Sequence, residues 1–197
     1  RSHTMKKGQS HPASALSQKL LADGLLSLLE QKPFREITIK ELCSHSDIAR
    51  RTFYRHFSSV EDVMAYVVSH IIENFNKHML QVQKEAYPAI LASYFAFWKD
   101  YASLLELLNK NNLAHLIFIP YMQSLPGLPW LFPPGSFLDS FPDSFLRETP
   151  EGGEDMEVLN CRLSYHSGGL WSVLTYWCVN GCSQPAEKLA QILCGML

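Results

Sequence analysis

Residues 46–57, SDIARRTFYRHF, crowd Arg50, Arg51 and Arg55 together with Thr52, Tyr54 and His56 around the phenylalanines Phe53 and Phe57. An arginine guanidinium donates two parallel N–H bonds to O6 and N7 of guanine, while Thr, Tyr and His side chains hold phosphate oxygens. On a helix over residues 49–56, successive side chains turn by about 100°. Ala49, Phe53, His56 and Phe57 then share one side, and Arg50, Arg51, Tyr54 and Arg55 share the other. The aromatic side packs inward and leaves a basic face outside. Such a face suits the major groove of a duplex, and it equally suits the solvated surface of a helical bundle.

No other cluster offers chemistry. There is no nucleophile elbow, no phosphate-cradling glycine loop and no metal-ligand spacing, so catalytic residues, metals and cofactors are not expected. Cys43, Cys161, Cys178, Cys182 and Cys194 are odd in number and form no CxxC pair. A reducing cytoplasm fits that usage, and Cys178 and Cys182, four apart on one helix face, read as small buried hydrophobes.

The elements that must position the basic stretch are helical. Leu16, Leu20, Leu21, Leu25, Leu28 and Leu29 recur at three- and four-residue spacing over 14–31, and Pro33 closes that helix. Thr38 followed by Glu41 is a capping box opening a helix of about two turns. Asp47 falls where the chain turns, and Asp tolerates left-handed backbone. Ser59 and Asp62 begin a long helix to about residue 83. Tyr87, Leu91, Tyr94, Trp98, Tyr101, Leu105 and Leu108 form an apolar stripe, and a helix is expected over 112–124. The stretch 125–153 holds six of the eleven prolines but also Trp130, Phe132, Phe137, Phe141 and Phe145, which points to an ordered excursion. Two helices end the chain. The first, 154–180, is apolar nearly all round from Gly168 to Val179, with Gly181 as its stop and Pro185 in the first turn of the second.

Net charge is only −2, with 47% hydrophobic and 18% charged residues, the balance of a globular protein. Residues 1–60 nevertheless hold ten Lys and Arg against five Asp and Glu, whereas 61–197 hold seven against fourteen. A basic module on an acidic body follows. No apolar run is long enough to span a membrane and no secretory signal is present. The opening RSHTM reads as a cloning remnant, with Met5 the expected native start.

The segment ITIKELCSHSDIARRTFYRHFSSVEDV resembles the DNA-binding domain of TetR-family bacterial transcription regulators. Thr38, Ile48, Thr52, Phe53-Tyr54, His56-Phe57 and the acidic start of the next helix carry the likeness, over residues 14–66. The final stretch, YHSGGLWSVLTYWCVNGCSQPAEKLAQIL, also resembles the carboxy-terminal helix pair of one TetR branch. The resemblance implies an all-α protein, with a three-helix helix-turn-helix DNA-binding domain at 14–58 after a tag and flexible arm at 1–13. A larger helical regulatory and dimerisation domain follows at 59–197. Asp47 replaces the family's usual turn glycine, Ala49 its common capping serine, Arg51 a small residue, and Val60 a frequent phosphate-binding lysine. One phosphate contact is lost and one groove-facing arginine gained.

Arg50 and Arg51 are therefore assigned to base or phosphate contacts. The resemblance implies that Thr52 and Tyr54 face DNA. Arg55 is expected on phosphate, Thr38 on backbone as well as its cap, and His56 either on phosphate or packed inside. A homodimer reading a palindromic double-stranded operator is expected to pair through Gly168 and Gly169, which admit a close helix, with Leu170, Trp171, Leu174 and Trp177 supplying area. The resemblance suggests a ligand cavity, for which Tyr94, Trp98, Tyr101, Phe118, Tyr121 and His166 are the candidate walls around an apolar or aromatic molecule. The outcome expected is a ligand-responsive repressor in the cytoplasm, not an enzyme; the alternative is a body that docks a partner protein instead of a small ligand.

Overall fold

The computed structural model describes residues 12–128, 131 and 154–196. Most of the Pro- and aromatic-rich excursion over 125–153, and the arm before Pro12, lie outside the described residues. Every regular element among the described residues is helical. In order these are α1 (Pro12–Leu29), α2 (Ile39–His45), α3 (Arg50–His56), α4 (Val60–Gln81), α5 (Tyr87–Lys99), α6 (Ala102–Lys110), α7 (Ala114–Ser124), α8 (Glu154–Val179) and α9 (Ala186–Cys194). The chain divides into two compact units, Arg1–Val67 and Val68–Leu197, and the division falls within α4.

In the first unit α1 packs on both α2 and α3. Leu21, Leu25, Leu28 and Leu29 of α1 are buried, as are Leu42, Cys43, Phe53 and Phe57 of the same unit, whereas Leu16 and Leu20 of the predicted stripe are exposed. The helix begins at Pro12, so it takes in the last two residues assigned to the arm. It stops at Leu29, because a proline at 33 cannot supply the next amide donor.

The second unit is built around rings. Phe75 of α4 meets Tyr94, Phe97, Trp98 and Tyr121 at centroid distances of 5.9, 5.4, 5.3 and 5.8 Å. Trp171 of α8 closes on Trp98 at 6.0 Å and on Tyr121 at 5.0 Å. The apolar stripe from 87 to 108 is two helices, α5 and α6, broken at Asp100 and Tyr101. α9 lies along α5, and α8 contacts α5, α6 and α7. α8 was expected to be buried on several sides. One face stays open: Tyr165, Tyr176 and Val179 are 80%, 71% and 56% exposed.

Candidate nucleic-acid interface

α2 starts where its sequence says it should. Thr38 is extended, and its hydroxyl accepts the Glu41 N–H at 3.2 Å. The Thr38 backbone N–H bears on the Glu41 carboxylate in return, as a capping box requires, and the same carboxylate pairs with Lys32. That ammonium holds the Glu41 carboxyl below the usual carboxylate range.

The turn after α2 is set by Asp47, at φ 53°. Ile48 N–H returns to Cys43 O at 2.9 Å and Asp47 N–H to Ser44 O at 3.4 Å, the paired bonds of a Schellman stop. Asp47 thus occupies the left-handed position that usually goes to glycine, and does so as one of the few side chains that tolerate it. The turn is pressed close to α1. A Cβ built on Gly24 would stand 2.1 Å from Ser46 Oγ and 3.3 Å from Ser46 Cβ, so a larger residue there makes the Ser46 side chain shift. Nothing in the hydrophobic periodicity marked that contact.

α3 runs over seven residues, with Ala49 extended in the capping position and exposed. Ala49 therefore does not join the inner side to which the helical spacing assigned it; the helix starts one residue later. Phe53 is fully buried and stacks on Phe57 at 6.0 Å, and Phe57 meets Tyr66 at 5.6 Å. Those rings fix the helix, and Arg50, Arg51, Tyr54 and Arg55 are exposed on its outside. Thr52 is half-buried at the edge of the same face, and Thr38 is exposed at the start of α2. Neither ion pair among the described residues involves Arg50, Arg51 or Arg55. Among the described residues, then, no carboxylate forms an ion pair with these guanidiniums.

His56 resolves toward packing. Its Nε2 is buried without a hydrogen-bond partner among the described residues, and burial beside Arg55 lowers its pKa from the ordinary histidine value. A ring with that nitrogen turned inside is poorly placed to hold phosphate through it. α4 is capped by Ser59, whose Oγ accepts Asp62 N–H at 3.1 Å, while the Asp62 carboxylate accepts Ser58 N–H at 2.8 Å.

Residues 21–67 match the family described as bacterial regulatory proteins, tetR family. The matched span takes in α2 and α3 with parts of α1 and α4, so this amino-terminal part of the chain is similar to a TetR-family DNA-binding domain. Over 102 residues the chain is 21% identical to the HTH-type dhaKLM operon transcriptional activator DhaS of Lactococcus lactis subsp. lactis (strain IL1403). That match takes in 52% of this chain and 48% of the relative, so the chain spans about half the length of the curated protein it matches.

In the second unit, five of the six residues named for a ligand cavity lie in the aromatic cluster and do not line the cleft among the described residues. Tyr94, Trp98 and Tyr121 are fully buried, with Tyr94 and Tyr121 hydroxyls 3.0 Å apart. Burial raises the pKa of both phenols, so the pair stays neutral. Tyr101 stacks on Phe97 at 5.0 Å and Phe118 on Trp171 at 5.3 Å. This is packed core, because rings at helical spacing on α5 and α7 meet each other before they can enclose space. A cleft of about 500 Å³ opens elsewhere, between α5, α8 and α9, with Tyr87, Leu91, Leu193 and Met196 among its walls. Of the six, His166 alone reaches it.

The residues named for the dimer face divide as well. Leu170, Leu174 and Trp177 are buried within their own chain, and Trp171 sits in the ring cluster. Leu170, Leu174 and Trp177 supply little area to a second chain unless that core opens, whereas Trp171 is only part-buried. A Cβ on Gly168 or Gly169 would meet nothing within 4 Å, and both line the cleft. Among the described residues no three His, Cys, Asp or Glu gather as a metal site, and no helix is long and apolar enough to cross a membrane.

Proposed function

We propose that the chain is a homodimeric, sequence-specific operator-binding regulator of bacterial cytoplasm, with α3 as the reading helix. The observation that carries this reading is the cluster of Arg50, Arg51 and Arg55, in no ion pair among the described residues, beside exposed Tyr54 on a helix locked from behind by Phe53 and Phe57. Arg50 and Arg51 read base edges or phosphates, Thr52 and Tyr54 face the groove, and Arg55 and Thr38 hold backbone. His56 positions the helix from inside. One such unit spans few bases, so two half-sites about 34–36 Å apart, or a multiple, are read by two copies.

The dimer face we infer is the open stripe of α8: Tyr165, Gly169, Ser172, Tyr176 and Val179 recur at four, three, four and three residues, and all are exposed. Ile192 on α9 and Met196 just past its end extend the apolar surface. The cleft beside this stripe is the better candidate for an effector, a neutral and largely apolar molecule. Effector binding acts on DNA affinity only if the two DNA-binding states bind it unequally. Repression is the reading for an operator that overlaps its promoter. The Lactococcus relative is named an activator, and that favours the opposite sign here.

The test is fluorescence anisotropy against DNA from the upstream region at several salt concentrations, with Arg51→Ala in parallel. Specific affinity falls by about 1–3 kcal/mol in the variant, and the parent shows a steep salt slope. Unchanged affinity removes Arg51 from the interface. Tyr176→Glu, assayed by sedimentation velocity at micromolar concentration, converts dimer to folded monomer; a dimer that survives it defeats the α8 stripe.

A further inference from the structure

The corner between α8 and α9 brings two thiols together. Cys178 is buried near the end of α8, and Cys182 is half-exposed in the turn that follows. Their side chains lie within hydrogen-bond reach of each other. The backbone between them is closed by two bonds: Gly181 N–H to Cys178 O at 2.9 Å, and Cys182 N–H to Trp177 O at 2.9 Å. Gly181 at φ 69° and Cys182 at φ 49° are both left-handed, which wraps the chain back over the helix end. Trp177 Nε1 then donates to Gln184 O at 2.9 Å and holds the exit. Spacing had suggested two small buried hydrophobes. The left-handed turn instead brings one of the thiols to solvent and aims it at the other.

We propose that Cys178 and Cys182 are a dithiol modification site that hydrogen peroxide closes to an intrachain disulfide. The half-exposed Cys182 meets the oxidant first. Its thiolate attacks one peroxide oxygen, an S–O bond forms, the O–O bond breaks, and the departing hydroxide takes a proton to leave as water. The Cys178 sulfur then attacks the sulfenic sulfur. The S–S bond forms, the S–O bond breaks, and hydroxide leaves as water with the Cys178 proton. Two thiols have lost two electrons, and one peroxide has become two waters. Burial pushes the Cys178 thiol up to about 12, so it keeps its proton and serves as the resolving partner, not the first nucleophile. The other cysteines lack this arrangement: Cys43 is buried in the first unit, Cys161 is exposed on α8, and Cys194 sits near Tyr87. The closed ring would contain Val179, an exposed residue at the end of the α8 stripe, and would fix the corner that joins the last two helices.

Tryptic cleavage after Arg162 and Lys188 releases one peptide, residues 163–188, that contains Cys178 and Cys182 and no other cysteine. The reduced full chain is treated with graded hydrogen peroxide, unfolded, alkylated with iodoacetamide and mapped by mass spectrometry. The expected peptide is lighter by two hydrogen atoms, takes no alkyl group, and regains two after dithiothreitol. Cys182→Ser leaves Cys178 fully alkylatable. Closure in the native chain is roughly tenfold or more faster than in urea, because the folded turn has already oriented the thiols. The proposal is overturned if Cys182 gains oxygen while Cys178 still alkylates, or if the unfolded chain closes as fast as the native one.

Discussion

Gly24→Ala tests whether the reading helix is held by the close approach of α1 to the turn behind it. In an exposed helix interior, Gly to Ala stabilises by about 1 kcal/mol. Here the new methyl would overlap Ser46 Oγ at 2.1 Å and press on Ser46 Cβ at 3.3 Å. The hydroxyl has to rotate, and the turn carrying Asp47 has to yield a few tenths of an ångström. Overpacking of this kind costs about 1–3 kcal/mol, so the expected net effect is a loss of up to about 2 kcal/mol. Ser46 supplies the control. Its Oγ is buried with no hydrogen-bond partner among the described residues, so Ser46→Ala removes an unsatisfied group and is expected to stabilise by about 1 kcal/mol.

In the double variant the worst overlap is gone and the helix gain remains. It is expected to be more stable than the parent, with a coupling of about 1–3 kcal/mol between the two positions. Urea unfolding followed by circular dichroism measures all four corners of the cycle. Each 1 kcal/mol corresponds to a shift of about 2–4 °C in Tm for a chain of this size. Effects that add to within about 0.5 kcal/mol would refute the reasoning, because they would mean that α1 and the turn do not touch as described.

Tyr94→Phe strands the Tyr121 hydroxyl in the ring cluster and costs about 1–3 kcal/mol by urea unfolding, while Phe at both positions is close to neutral; a double variant as unstable as the single would show that the hydroxyl pair is not the cause. His56 has a folded pKa below its unfolded value of about 6.5, so the unfolded chain binds more protons in that window, and stability is full above it and lost as pH falls through it toward the folded pKa. The urea midpoint is therefore expected to drop between about pH 7.5 and 5.5, and His56→Gln to drop less steeply; equal slopes would place the His56 ring in water.

The DNA-reading half was legible because its determinants are local. A cap three residues from its partner, an aspartate at a turn and two phenylalanines four apart each act within one turn of helix, where sequence spacing and spatial neighbourhood coincide. What spacing did not show were the distant partners: Glu41 also pairs with Lys32, nine residues back, and Gly24 lies against Ser46, more than twenty residues on. The regulatory half is different in kind. On α8, Leu170, Leu174 and Trp177 lie on one helical face and Tyr165, Tyr176 and Val179 on another, and each set keeps helical spacing. Periodicity identifies two such faces but cannot say which one the rest of the chain covers. That is decided by Trp98, Phe118 and Tyr121, whose rings close on Trp171 from two other helices and pull its side of α8 inward. Once that face is covered, the other has to be left to solvent or to a partner. Gly168 and Gly169 then change meaning: small residues that spacing alone would place at a helix–helix contact instead leave the opening of the cleft.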